Sequence, residues 1–386
     1  MKILVGLSGG VDSAIAAYLL KEQGHDVTCL FMRNWDSALN NDVKGNPTLY
    51  DNICPQEQDF NDAKSVADTL GLKIIRKDFI KEYWDHVFES FLSDYKKGYT
   101  PNPDILCNKY IKFKSFFDYA MDNGYDYIAM GHYAKVVHEK DFTYMLKGDD
   151  TNKDQTYFLS QIPYDALRKT LFPLGEYDKS FVREKALELN LSIANKKDST
   201  GVCFIGERNF KQFLNNYLPA KPGRVVDIET NEVIATHDGV FYYTIGQKKG
   251  LGIGGLKESM MVIDKDVTEN ILYLVKATDT NWIKSDACIV SGFNDLTNLA
   301  KDKVHDVTCK FRYRQKDIPV SIKFIKDDTL EVTYPNGVDA VTLGQQAVFY
   351  LDNICLGGGI IDEIYLNNVN KKDIIKEKVR NGIRDN

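Results

Sequence analysis

No CxxC pair occurs in this sequence, although it holds seven cysteines: Cys29, Cys54, Cys107, Cys203, Cys288, Cys309 and Cys355. The odd count and wide spacing exclude a disulfide framework and a zinc site of the usual ligand spacing. A cysteine with a role here is expected to do chemistry rather than to staple the fold. Long apolar runs are missing too. Nothing approaches ~18 consecutive apolar residues, so no membrane span is expected. The opening "MKILVGLSGG" is too short and ends wrongly for a signal peptide, and no Arg-rich presequence is present, so a cytoplasmic protein is expected. Positive charge is not in excess: 49 Lys and Arg stand against 55 Asp and Glu, a formal net charge of −6. That balance argues against a generally adhesive nucleic-acid binder, but not against a local basic surface. There is no GxxxxGK[ST] nucleotide loop, internal repeat or low-complexity tract.

What is present is an ordinary globular composition, 43 % hydrophobic and 27 % charged over 386 residues, a length for two or three domains. The first part alternates strands and helices, the mark of a parallel sheet with helices on both faces. "KILVGLS", "DVTCLFMR", "LKIIRKDF" and "YDYIAMGHYAKV" read as strands. "SAIAAYLLKEQG", "EQDFNDAKSVADTLG", "KEYWDHVFESFLSDYKKG" and "IKFKSFFDYAMDNG" read as helices closed by glycine or its neighbours. Beyond about residue 210 the texture becomes all-β, with alternation and turn residues. The expected units are 1–208, an α/β catalytic domain; 209–284, a central mostly-β domain; 285–366, a C-terminal β-barrel; and 367–386, a polar tail forming a marginal helix or none.

"SGGVDS", Ser8 to Ser13, lies between a strand and a helix. Gly9 and Gly10 let the backbone turn tightly and approach a ligand. The following helix start points amides at an anion, Ser8 and Ser13 add hydroxyls, and Asp12 can hold Mg²⁺ bridging phosphate oxygens. In "TPNPDILCNKYIKF" two prolines pin a loop in which Asp104 and Cys107 lie three residues apart, just before a helix. A helix start and the following Lys109 and Lys112 would favour the Cys107 thiolate, and Asp104 could act as acid or base. A plain core cysteine fits that pattern equally well. In "DSTGVCF" Cys203 follows a turn, with Lys196 and Lys197 upstream. Loops of such sheets gather at the carboxyl ends of the strands, so both thiols could meet at the mouth of the nucleotide site. "KFRYRQK" holds Lys310, Arg312, Arg314 and Lys316 with two aromatics, suited to phosphates and bases, or else to a solvated strand face. His132 is a candidate site residue or a strand-end histidine satisfied by backbone. Cys29, Cys288, Cys309 and Cys355 look strand-borne and structural.

The SGGxDS form resembles the PP-loop of the ATP pyrophosphatases, enzymes of the adenine nucleotide alpha hydrolase-like fold that adenylate a carbonyl oxygen. In order along the chain, "GLSGGVDS", "GYTPNPDILCNKYIKF", "MGHYAKV", "KDQTYFLSQI", "KDSTGVCFIGERNFKQFL", "YYTIGQKKGLGIGG", "FRYRQ" and "GQQAVFY" with "CLGGGII" resemble the bacterial tRNA-specific 2-thiouridylase family as far as about Ile361. Tyr110 stands where relatives often have an acid. The resemblance implies that wobble uridine of the tRNAs for Lys, Glu and Gln is converted to 2-thiouridine with ATP, Mg²⁺ and a protein persulfide. It places ATP on Gly6, Leu7, Ser8, Gly9, Gly10, Val11, Asp12 and Ser13, bordered by Met32 and Gly131. Asn102, Pro103 and Asp104 would contact the target base. Lys153, Asp154 and Gln155, with Arg312 and Tyr313, would contact tRNA, and His132 and Gln345 would lie near the flipped-out nucleotide or the RNA. Cys107 would be the nucleophile and Cys203 the persulfide carrier, the two closing a redox disulfide. The sulfur donor would be a cysteine desulfurase or relay protein. Two rival readings are a PP-loop ligase that adenylates a small carboxylate or ureido group, which has no use for the two thiols, and an RNA-binding protein that retains ATP only as a structural ligand.

Overall fold

The apolar run after Lys2 forms β1 (Lys2–Gly6), every residue from Ile3 onward buried. The computed structural model describes residues 1–51, 53–197, 205, 209–254 and 258–384. β1 pairs in parallel with β2 (Asp26–Arg33), and β2 with β3 (Lys73–Asp78). The chain then returns to the other side of β1 with β4 (Tyr127–Ala129). A hairpin of β5 (Ala134–His138) and β6 (Thr143–Lys147) follows, and then β7 (Thr170–Leu171) beside β4. The sheet order is therefore β3-β2-β1-β4-β7. The direction of winding reverses at β1, and in sheets of this kind the ligand crevice lies at such a point, at the carboxyl ends of the strands. Successive β1 residues serve opposite cores. Ile3 and Val5 pack with helix α1 (Val11–Glu22) and helix α2 (Pro55–Thr69), while Leu4 packs with Met32, Cys107 and Ile111. A strand buried on both faces is what a parallel sheet covered by helices requires.

Two elements differ from the sequence reading. "YDYIAMGHYAKV" is not one strand: β4 stops at Ala129, and β5 begins at Ala134 in a different sheet. The chain breaks because Gly131 must press against the glycine loop, where an added Cβ would stand 2.7 Å from the Ser13 nitrogen. The helix expected over "IKFKSFFDYAMDNG" starts earlier, at Pro103–Cys107, and runs through a π-helical stretch, Asn108–Ser115, into Phe116–Asp122.

The central unit is a four-stranded sheet in the order β10-β11-β8-β9, from β8 (Gly223–Asp227), β9 (Val233–His237), β10 (Met260–Asp266) and β11 (Ile271–Lys276). The C-terminal unit comprises β12 (Lys284–Asp295), β13 (Val304–Lys310), β14 (Ile318–Lys326), β15 (Thr329–Asp339), β16 (Gln346–Leu351) and β17 (Ile354–Leu366). Its strands run β12-β15-β14-β13-β16-β17, and β17 pairs back with β12, closing a six-stranded barrel that has no free edge. Hairpin β5–β6 joins this barrel through Leu146 and Ile354, so the first and last units share a sheet. Cys29, Cys288, Cys309 and Cys355 are fully buried on strands, as expected. The tail is not loose: Lys371–Arg384 is a helix, and Ile375 packs into the apolar cluster of the central sheet. Among the described residues no helix is long and apolar enough to cross a membrane.

Candidate active site

The glycine loop is held by its own hydroxyls. Ser13 Oγ accepts from the Ser8 amide at 3.1 Å, donates to the Gly10 carbonyl at 3.0 Å, and lies 3.1 Å from Ser8 Oγ. Gly9 has φ +78°, and a Cβ there would meet the Asp59 carbonyl oxygen at 2.3 Å, so only glycine fits. Gly10 precedes α1 in extended geometry with no side chain capping the helix start. A 12-residue helix thus presents its amino end beside an exposed Ser8, an arrangement suited to phosphate oxygens. Gly6 is equally tight, its missing Cβ 2.7 Å from Met130 Sδ and 3.2 Å from Met32 Cε.

Asp12 is not a lone carboxylate. Lys179 Nζ donates to both its oxygens at 2.7 and 2.8 Å, and Tyr133 Oη donates to Oδ1 at 2.8 Å. Lys196 Nζ donates to the Gly9 carbonyl at 3.2 Å, to Asp59 at 2.8 Å and to Asp62 at 2.7 Å. Burial opposes the charge on Lys196, but the hydrogen bonds and charges of Asp59 and Asp62 outweigh it and raise its pKa. The sequence placed Lys196 beside a thiol; the structure uses it to brace the glycine loop against α2. Lys179 and Asp59 carried no signal in the sequence, and Tyr133 only as part of "MGHYAKV", because their partners are far away along the chain. Among the described residues no group of three His, Cys, Asp or Glu side chains could hold a metal by itself. One carboxylate beside a phosphate cradle is nonetheless the usual protein share of a Mg²⁺–nucleotide site, and Asp12 would have to exchange Lys179 for the ion to provide it.

The second wall is residues 100–107. Asn102 Oδ1 accepts from the Asp104 amide at 3.2 Å, capping the helix that Pro103 begins. Asn102, Pro103 and Asp104 are half-buried. Cys107 is fully buried and packed with Met32, Ile105, Ile111 and Met130. It lies under the crevice, and Lys109 turns to Gln161, 3.0 Å away. Cys203 lies outside the described residues.

The third wall is the break after β4. Gly131 faces Ser13 and Asp12, and His132 follows it, buried, with Nε2 3.3 Å from Lys112 Nζ. Gln155 Oε1 accepts from the Tyr133 amide at 3.0 Å, so "KDQ" is tied through Tyr133 to Asp12. Asp154 is buried and accepts from the Gly148 amide and from the Thr156 amide and hydroxyl; Lys153 is half-buried. From the barrel, Gln345 Nε2 donates to the Thr100 carbonyl, and Thr100 N donates to the Leu343 carbonyl at 2.9 Å. The basic run divides. Arg312 Nη2 donates to the Ala340 carbonyl at 2.7 Å, Thr342 Oγ1 at 3.1 Å and the Ile245 carbonyl at 3.2 Å, joining barrel to central unit. Tyr313 packs against Phe158 in a tilted pair with centroids 4.3 Å apart, Lys310 faces Asp154, and Arg314 and Lys316 are exposed.

With that geometry in view, comparison with known proteins is direct. The family model for the tRNA methyl transferase HUP domain matches residues 1–207, that for the PRC-barrel domain 211–276, and that for the aminomethyltransferase β-barrel domain 276–361. The chain is 56 % identical over 370 residues to the tRNA-specific 2-thiouridylase MnmA of Mycoplasma capricolum subsp. capricolum, covering 94 % of this chain and 99 % of that one. It is 48 % identical over 367 residues to the namesake from Listeria monocytogenes serotype 4a, covering 95 % and 96 %. A solved 4-thiouridine synthetase–RNA complex with bound ATP aligns at a TM-score of 0.31 and 13 % identity, covering 56 % of this chain and 50 % of that one. Fold and relatives together define a nucleotide-binding, tRNA-modifying transferase of the PP-loop type. The chain belongs to the bacterial tRNA-specific 2-thiouridylase family.

Proposed function

We infer that this enzyme adenylates the C2 oxygen of the wobble uridine in the tRNAs for Lys, Glu and Gln, and replaces that oxygen with sulfur. The observation that carries the reading is the contact of Gly131 with Ser13 and Asp12, which sets His132 beside the phosphate cradle. ATP would lie on Gly6 to Ser13 with Met32 and Gly131 at its border. Asp12, now paired with Lys179 and accepting from Tyr133 Oη, would hold Mg²⁺ through one carboxylate, which would screen phosphate charge. The uridine would reach the crevice by leaving the anticodon stack, as bases do for other modifying enzymes. Asn102, Pro103, Asp104, His132 and Gln345 would line its place, with Lys153, Asp154, Gln155, Arg312 and Tyr313 supporting the tRNA side.

The uracil C2 oxygen cannot leave unaided. It attacks the α-phosphorus, pyrophosphate departs, and the oxygen becomes part of a good leaving group. The terminal sulfur of a Cys203 persulfide then bonds to C2 and AMP leaves with the oxygen. Cys107 attacks the Cys203 sulfur, freeing the thiolated base and forming a Cys107–Cys203 disulfide that cellular thiols reduce. Asp104 takes up or returns the proton. A cysteine desulfurase or relay protein reloads Cys203. The buried position of Cys107 implies that its cover moves during the cycle. The test is pyrophosphate release with ATP and undermodified tRNA, against ATP and small carboxylates. Release with tRNA alone is expected; release with a small carboxylate would instead mark an adenylating ligase.

A further inference from the structure

Lys112 is a lysine with its ammonium against a buried imidazole. Its Nζ is 3.3 Å from His132 Nε2, and His132 is only 9 % exposed. An ammonium can only donate, so Nε2 must be the bare nitrogen and the ring proton must sit on Nδ1. His132 Nδ1 is itself buried and has no hydrogen-bond partner among the described residues. The ring is walled by Phe113, centroid 6.1 Å away, and by Phe172, 5.9 Å away and edge-on, neither of which offers an acceptor. Burial first, and the Lys112 charge second, hold His132 well below the usual histidine range, so the ring is neutral. A buried N–H left without an acceptor is costly, by about 1–3 kcal/mol, and such groups in native proteins call for a reason.

Position supplies one. His132 directly follows Gly131, whose backbone touches the start of α1, so the residue that carries this donor is next in the chain to the phosphate cradle, at the point where the sheet reverses its winding. Phe113, the ring that covers one side of His132, lies in the π-helical stretch and departs from helical geometry at φ −108°, ψ 15°. π-helical insertions gather at functional sites. A base entering the crevice would displace this wall and meet the donor.

Resting on the function proposed above, we propose that Lys112 is a positioning residue which fixes His132 as an Nδ1–H donor, and that this donor reads the C4 carbonyl oxygen of the target pyrimidine. The C2 oxygen commits a lone pair to phosphorus, so O4 is the exocyclic acceptor left for recognition. Cytosine carries an amino group at that place, and two donors would face each other. The pair therefore selects uridine over cytidine. A histidine free to exchange tautomers could serve either base; a lysine-locked one cannot.

The test uses full-length protein with ¹⁵N-labelled histidine, His132 being assigned by the loss of its signals in H132Q. Long-range ¹H–¹⁵N NMR should show a neutral ring protonated at Nδ1, and K112M should shift it to a tautomer mixture while K112R keeps the wild-type state. Without ATP, affinity is compared for a tRNA transcript with uridine at the wobble position and for one with cytidine. The wild type should favour uridine by roughly 10- to 100-fold, K112M should compress that ratio toward one, and K112R should retain it. An Nε2-protonated ring in the wild type overturns the proposal. So does an unchanged uridine preference in a K112M protein that melts as a folded chain, which is the result expected if Nδ1 merely holds a water. If tRNA fails to bind the wild type at all, the parent reading falls and takes the ligand with it, while the tautomer measurement stands apart.

Discussion

Gly131 has no space for a methyl group. Its virtual Cβ stands 2.7 Å from the Ser13 nitrogen and 2.8 Å from the Asp12 carbonyl carbon, both of them backbone atoms that cannot swing aside. Gly131→Ala should therefore push β4 off the phosphate loop, cost about 1–3 kcal/mol of stability, and raise the ATP concentration needed for half-maximal pyrophosphate release. Unaltered ATP dependence in a folded variant would contradict the placement. Asn34 makes the opposite case. It is fully buried one residue past β2, and neither side-chain heteroatom has a partner among the described residues. Asn34→Leu keeps the volume and removes both desolvated groups, so urea unfolding of the ligand-free protein should show a gain of about 1–3 kcal/mol; a loss would mean that the amide is satisfied. The glycines were legible in the sequence because a tight turn is a local property. Asp12 was legible as a carboxylate at a helix start, but its clamp was not, since Lys179 and Tyr133 come from segments more than a hundred residues downstream.

Among elements, the break between β4 and β5 shows why a strand reading can be right in type and wrong in extent. Apolar alternation continues through "YDYIAMGHYAKV", so periodicity alone sees no boundary. The boundary is imposed by a tertiary contact, Gly131 on α1, and by β5 finding β6 and then the barrel. The helix Lys371–Arg384 was obscure for a related reason. Its composition is polar, and what docks it is chiefly Ile375, only 5 % exposed in the cluster with Val226, Met261 and Ile283. Chains lacking residues 371–386 should unfold at lower urea, by about 1.5–3 kcal/mol for the buried Ile375 alone. Equal stability would show that the helix contributes nothing to the central unit.

Across the whole molecule, the three units meet around charge. A cavity of about 280 Å³ is lined by Lys97 of the first unit, Asp264 and Lys265 of the central sheet, Thr342 and Asp362 of the barrel, and Lys371 of the last helix. Burial pulls Lys265 and Lys371 down from 10.5 to about 8. Above about pH 8 the folded protein has released these protons while the unfolded chain keeps them up to 10.5, so this pair adds stability as pH rises through that window. Buried thiols act the other way: Cys29, Cys288 and Cys355 are pushed up from 9.0 to about 12 and subtract stability above pH 9. The lysine contribution is therefore isolated as a difference. Urea midpoints of the wild type should gain on those of K265M/K371M between pH 7.5 and 9.5, and parallel curves would show that the junction does not titrate. The three-part order of the chain was readable from its change of texture, from alternating βα to all-β. The joining of hairpin β5–β6 to the barrel was not, because it depends on a pairing between residues 146 and 354.

The direct measurement is mass spectrometry of undermodified tRNA digested to nucleosides after incubation with ATP, Mg²⁺, a persulfide donor and either the parent enzyme, Cys107→Ser or Cys203→Ser. The account predicts one oxygen-for-sulfur exchange at the wobble uridine with the parent and none with either variant, each of which still unfolds cooperatively. Full exchange by a variant lacking one of the two thiols, or none by the parent in spite of tRNA-dependent pyrophosphate release, would contradict it.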